Sequence, residues 1–76
     1  DVENATIGLT LSHNPEGGTV AFEINGKMVN FDRKETVNTF EPFQTILANH
    51  FSEPVRLKNG LNEVIIKSMD TGNEES

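Results

Sequence analysis

Few side chains in this 76-residue chain are suited to recognising a ligand. Its five phenylalanines are its only large rings, since Trp and Tyr are absent. Phe40 and Phe43 flank Glu41-Pro42 at an expected loop-to-strand junction, where a ring can stay exposed and act as a stacking platform. Phe51 stands in a similar position. Asn38 and Asn49 fall in expected loops, and a carboxamide offers both a donor and an acceptor. Asp70, Asn73, Glu74 and Glu75 place hard oxygen donors close together, the ligand type calcium prefers, in an acidic tail expected to be mobile. His13 and His50 are the two imidazoles, and their separation matches no zinc motif.

Catalytic chemistry finds little support. The chain has no Gly-x-Ser-x-Gly elbow and no recognisable nucleophile–base pairing. Paired carboxylates of a glycosidase must be held about 5–10 Å apart in a formed cleft, and so short a chain has little rigid material to hold them. Cysteine is absent, which removes disulfides, thiolate metal sites and thiol chemistry together. The chain is therefore expected to be non-catalytic.

The elements that must position these residues read as strands. Thr6 to Ser12 alternates at period two, with Ile7, Leu9 and Leu11 on one face. His13-Asn14-Pro15-Glu16-Gly17-Gly18 breaks that pattern, the double glycine being able to supply positive φ cheaply. Val20 to Ile24 and Lys27 to Phe31 flank Asn25-Gly26, which favours a two-residue type I′ hairpin. The implied register sets Ile24 opposite Lys27, Phe22 opposite Val29 and Val20 opposite Phe31, with these apolar residues sharing one face. Asp32 to Thr39 reads as a loop. Phe40 to Phe51 fits helical spacing and strand alternation alike, and its neighbours favour a strand at about 43–48. A second Asn-Gly, at Asn59-Gly60, should fold Pro54–Lys58 and Leu61–Lys67 into another ribbon, with Val55, Leu57, Val64 and Ile66 inward. Asn62 should hydrogen-bond its own turn backbone.

Short strands with turns every 8–12 residues predict an all-β fold, an antiparallel β-sandwich or barrel within residues 1–76. Five to six strands would leave it incomplete, with open edges that a neighbouring domain or second chain must cover. A chain of this size buries only about 60% of the surface its unfolded form exposes, so its core is marginal. The formal charge is −6, which opposes binding to nucleic acid and to anionic membranes. No run of apolar residues is long enough to span a bilayer.

The order of segments carries a resemblance. A strand and Gly-Gly loop, then VAFEINGKMV, FEPFQTI and PVRLKNGLNEVIIK followed by DTGN, are similar to the central part of galactose-binding-like jelly rolls. Carbohydrate-binding modules of families 6 and 35, and accessory sandwiches of secreted glycosidases, have that form. Val55, Leu57, Gly60, Asn62, Val64 and Ile66 carry the likeness most directly. The resemblance implies a secreted or cell-surface accessory module that contacts polysaccharide. Asn38, Phe40, Phe43 and Asn49 would bind it by ring stacking and amide hydrogen bonds; independently of the resemblance, the oxygen donors of Asp70, Asn73 and Glu74 offer a place for calcium. The alternative is a structural sandwich that only packs against a neighbouring domain or chain.

Overall fold

The computed structural model describes residues 2–69, so the calcium expectation at Asp70, Asn73 and Glu74 lies outside the described residues. Those described form eight strands and no helix: β1 (Val2–Ala5), β2 (Gly8–His13), β3 (Thr19–Ile24), β4 (Lys27–Val29), β5 (Val37–Asn38), β6 (Ile46–Phe51), β7 (Val55–Leu57) and β8 (Val64–Ser68). The strands pair antiparallel throughout, giving the expected all-β class.

β3 is the hub of a four-stranded sheet. β8 runs along one side of it, from Val20↔Ser68 to Ile24↔Val64. β5 and β4 share the other side, with Val20 opposite Val37 and Phe22 opposite Val29. A long ribbon forms the second layer. In it β2 pairs β6 from Gly8↔Phe51 to His13↔Ile46, and β1 pairs β7 with a register shift between Val2 and Ala5. Between the two pairings the buried Ser52 continues the ladder. Its Oγ accepts from Ile7 N–H at 2.8 Å, and its own N–H donates to Ile7 O at 2.9 Å.

The side chains between the layers follow from the pleat. Phe22, Ile24, Val29, Phe31 and Val37 are buried, and Leu9, Leu11, Val20, Val55 and Leu57 pack against them from both layers. Phe22 and Phe31 are fully buried, with ring centroids 4.4 Å apart and a tilt of 41°, a favourable aromatic geometry.

The first Asn-Gly corner is as expected. Asn25 (φ 53°) and Gly26 (φ 82°) are both left-handed, and Phe22↔Val29 and Ile24↔Lys27 hold. Val20 opposite Phe31 does not. β4 stops at Val29, β5 takes the place opposite Val20, and Phe31 pairs with Ser52 of the ribbon. Its ring still enters the core.

The second corner is corrected more deeply. β7 pairs with β1 and β8 with β3, so the segment around Asn59-Gly60 carries the chain from one layer to the other. Gly60 is left-handed (φ 88°), but Asn59 is not among the residues with positive φ. Asn62 does bind its own turn, accepting from Lys58 N–H at 2.9 Å and donating to Lys58 O at 3.0 Å. The two corners also bond to each other, through Asn25 Nδ2 to Asn62 Oδ1 and Glu63 N–H to Asn25 Oδ1. That cross-bracing replaces the missing hairpin.

The glycines at 17 and 18 have a different use from the one expected. Neither has positive φ. A Cβ at Gly17 would lie 2.1 Å from the Thr39 carbonyl oxygen, so this glycine permits a close backbone approach. Thr39 is buried there, its Oγ1 accepting from Gly18 N–H and donating to Gly18 O. The strand expected at about 43–48 begins at Ile46, and its inward residues are Ala48 and His50, opposite Leu11 and Leu9. Leu47 points outward and is 70% exposed.

Phe31→Ala is expected to cost about 3–5 kcal/mol, most of the margin of a small domain. Met28→Ala, on the outer side of the same hairpin, should stay within about 0.5 kcal/mol. Urea unfolding followed by circular dichroism distinguishes the two.

Candidate functional site

Three of the four predicted ligand residues are exposed but scattered, and one is well placed. Asn38 lies on β5 and its Oδ1 accepts Phe40 N–H at 2.9 Å, an Asx turn that commits the side chain to its own loop. Phe40 is half exposed, and its backbone bridges to Asn14. Phe43 is 88% exposed, with its N–H donated to Glu41 Oε2 at 3.1 Å.

Asn49 is on β6, not in a loop, and faces outward opposite Thr10, whose Oγ1 it engages through Oδ1 at 2.7 Å. Period two puts Leu47 and Phe51 on the same outer side. Phe51 is 55% exposed, and one ring edge lies over Gly8: a Cβ there would meet Phe51 Cε1 at 3.1 Å. The bare backbone of Gly8 thus gives the ring a seat on the sheet. The ring also borders an open depression of about 570 Å³ lined with Asn30, Asp32, Arg33, Glu53 and Pro54. This is the described surface where a half-exposed aromatic meets amide, carboxylate and guanidinium groups.

Sequence reasoning set Phe51 beside Phe40 and Phe43 but could not rank it. The ranking signal is its pairing with Gly8, and no local pattern announces that two residues 43 apart in sequence will be neighbours.

A second cluster lies on the inner side of the ribbon. Asp32 Oδ2 is 2.5 Å from His50 Nδ1, and His50 Nε2 is 2.9 Å from His13 Nε2. The two imidazole rings are close to parallel, at 17°. His50 is buried. Asp32 accepts the Nδ1 proton of His50; when both rings are neutral, His50 Nε2 then presents a lone pair to which His13 Nε2–H donates. A hydrolytic triad would set a hydroxyl where His13 stands, so the arrangement supplies an acid–base pair without a nucleophile. Among the described residues no group of three or more His, Asp or Glu side chains converges as metal ligands.

The backbone beneath this chain is strained. Asp32 (φ 56°) and Arg33 (φ 65°) form a two-residue left-handed turn closed by Phe31 and Lys34, each donating its N–H to the other's carbonyl. Left-handed non-glycine residues cost of order 1–3 kcal/mol each, and they persist where surrounding bonds over-determine them. Here Asp32 is held three ways: by His50, by Phe51 N–H donated to its Oδ1 at 3.2 Å, and by its own N–H donated to Phe51 O.

The hydrogen bond from His50 is the chief cause holding the Asp32 carboxyl below its usual 3.8. The Phe51 amide and the charges of His50 and Lys34 add to it, and desolvation opposes.

Comparison with protein-family models, with curated proteins and with solved structures finds no match to this chain.

A carboxylate whose folded value is depressed adds stability above its ordinary value, and that stability is lost as pH falls through the folded value. The Asp32 carboxyl carbon should therefore titrate below 3.8 in the folded protein by carbon NMR. Between about pH 4 and pH 2 the wild type should lose stability faster than Asp32→Asn.

Proposed function

We propose that the chain is a non-catalytic β-sandwich accessory module of a secreted or cell-surface polysaccharide-processing protein, and that it takes a carbohydrate chain on the outer face of the β2–β6 ribbon. The observation that carries this reading is the Phe51 ring. It is half exposed, seated over Gly8, and bordered by the depression containing Asn30, Asp32, Arg33 and Glu53. An apolar ring face can stack on a pyranose, while amides and charged groups beside it bond the hydroxyls. Asn49, one of the residues singled out by sequence, lies on the same face, and its Nδ2 donates to no other described residue. Phe40, Phe43 and Asn38 then have no direct part in binding. The order of sequence segments that resembles galactose-binding-like modules supports the same ligand class. Affinity in such an open site is expected to be low per ring.

A second reading rests on a separate observation. Val64 and Ile66 lie opposite Ile24 and Phe22 in the ladder and so share their inner face, yet they are 41% and 48% exposed. An inward apolar pair left uncovered beside an open strand edge suits a module that packs against a neighbouring domain or chain.

Affinity electrophoresis through gels containing soluble polysaccharides tests the first reading. Retardation by at least one neutral glycan is expected, lost in Phe51→Ala and kept in Phe43→Ala. No retardation on any glycan, or loss only with Phe43→Ala, would reject the Phe51 site. A sedimentation profile that shifts to dimer with concentration, and is restored to monomer by Ile66→Lys, would favour packing.

A further inference from the structure

We propose that the Asp32–His50–His13 chain is an acid-operated latch on the corner between the sheet and the ribbon: the folded protein admits one added proton on the two imidazoles, and the second opens that corner. The inference does not depend on carbohydrate binding: its two imidazoles lie on the inner side of the ribbon, and only Asp32 is shared with the depression beside Phe51.

The argument is a count of protons. A hydrogen bond between two Nε2 atoms 2.9 Å apart needs one proton between them. With both rings neutral, His13 donates to His50. With one proton added, the charged His50 keeps its Nδ1–H on Asp32 and donates Nε2–H to His13, which holds its remaining proton on Nδ1. Both states preserve the geometry. With two protons added, Nε2–H faces Nε2–H, and two like charges meet over a buried ring. That state cannot keep the contact.

Asp32 is the carboxylate bonded to this pair, and it is already engaged by His50 Nδ1. The turn after β4 contributes Asp32, already bonded to Nδ1, and Lys34, whose charge acts on Asp32. The rest of β2 and β6, from Gly8 to Ser12, Ile46 to Asn49, and Phe51, is uncharged. The core residues supplied by β3, β4 and β5 are apolar: Val20, Phe22, Ile24, Val29 and Val37.

The place where the latch acts follows from the backbone. Asp32 holds Phe51 N–H, and its neighbour Phe31 makes the bridge to Ser52 that joins the layers. The strained Asp32–Arg33 turn is over-determined by these same bonds, so releasing His50 lets the turn relax. The corner then parts there first.

In the unfolded chain nothing holds the two imidazoles together, so neither limits the other's protonation. The native state binds one proton fewer, so stability falls with falling pH. Urea unfolding at pH 6 and pH 5 should show the folding equilibrium constant dropping about tenfold. That interval lies above the ordinary carboxylate range, about 4. In His13→Gln the drop should shrink to less than about threefold, because a carboxamide can donate or accept and a charged His50 still finds an acceptor. An unchanged constant in the wild type, or an undiminished drop in His13→Gln, would overturn the proposal. Nitrogen NMR of the wild-type rings gives an independent measure if the variant does not fold. At most one ring should carry two protons while the Phe51 amide remains protected from exchange. Two doubly protonated rings with that protection intact would also overturn it.

Discussion

Phe31 is where the two layers of this protein become one structure. Its ring is fully buried against Phe22, and its backbone bridges to Ser52 on the ribbon and to Lys34 across a tight turn. The side chain must reach the core while the main chain bonds away from β3. The chain after Val29 therefore leaves the hairpin and turns left-handed at Asp32 and Arg33. In a chain with no disulfide and a core of a few residues, an anchor that couples packing to backbone pairing carries much of the cooperativity. The strain in the turn follows from that coupling, and so does the position of the Asp32 carboxylate.

The Asp32–His50–His13 chain runs from the surface at Asp32 to a buried ring at His50, with His13 half-buried. An apolar side chain in place of His50 could fill the interior without hydrogen-bond demands. Every buried side-chain polar atom among the described residues nevertheless has a partner: Ser52 is satisfied by the backbone of Ile7 and Glu53, and Thr39 by that of Gly18. Polar groups here specify which segments meet, where apolar contact alone would tolerate slippage. Ser52 marks the break between the two halves of the ribbon, and Thr39 marks the close approach permitted by Gly17.

The outer surface carries two distinct features. The face of the β2–β6 ribbon carries Phe51, Asn49 and Thr10 against a glycine seat and borders an open depression. The opposite edge ends at β8, whose Val64 and Ile66 face inward without a covering strand. The first is suited to a flat ligand, the second to a complementary apolar surface. Both are products of one limit: two layers built from short strands cannot cover every edge they create.

The sequence by itself determined the local features. Period-two alternation marked β2 and β3, Asn25-Gly26 set the register of Phe22 with Val29, and Asn62 was legible as a turn-closing amide. These depend on neighbours a few residues away, where backbone sterics decide. β1 and β5 were not legible, since strands this short exist only because a distant partner completes their ladders. The Asn59-Gly60 corner misled for a related reason. Its turn chemistry permits a hairpin, but β3 and β1 offered β8 and β7 better apolar faces to join. The candidate sites were left to tertiary structure almost entirely. Phe51 meets Gly8, and Asp32 meets His50 and His13, across gaps in sequence that only strand pairing closes, and hydrogen-bond geometry cannot be specified before the partners are brought within reach.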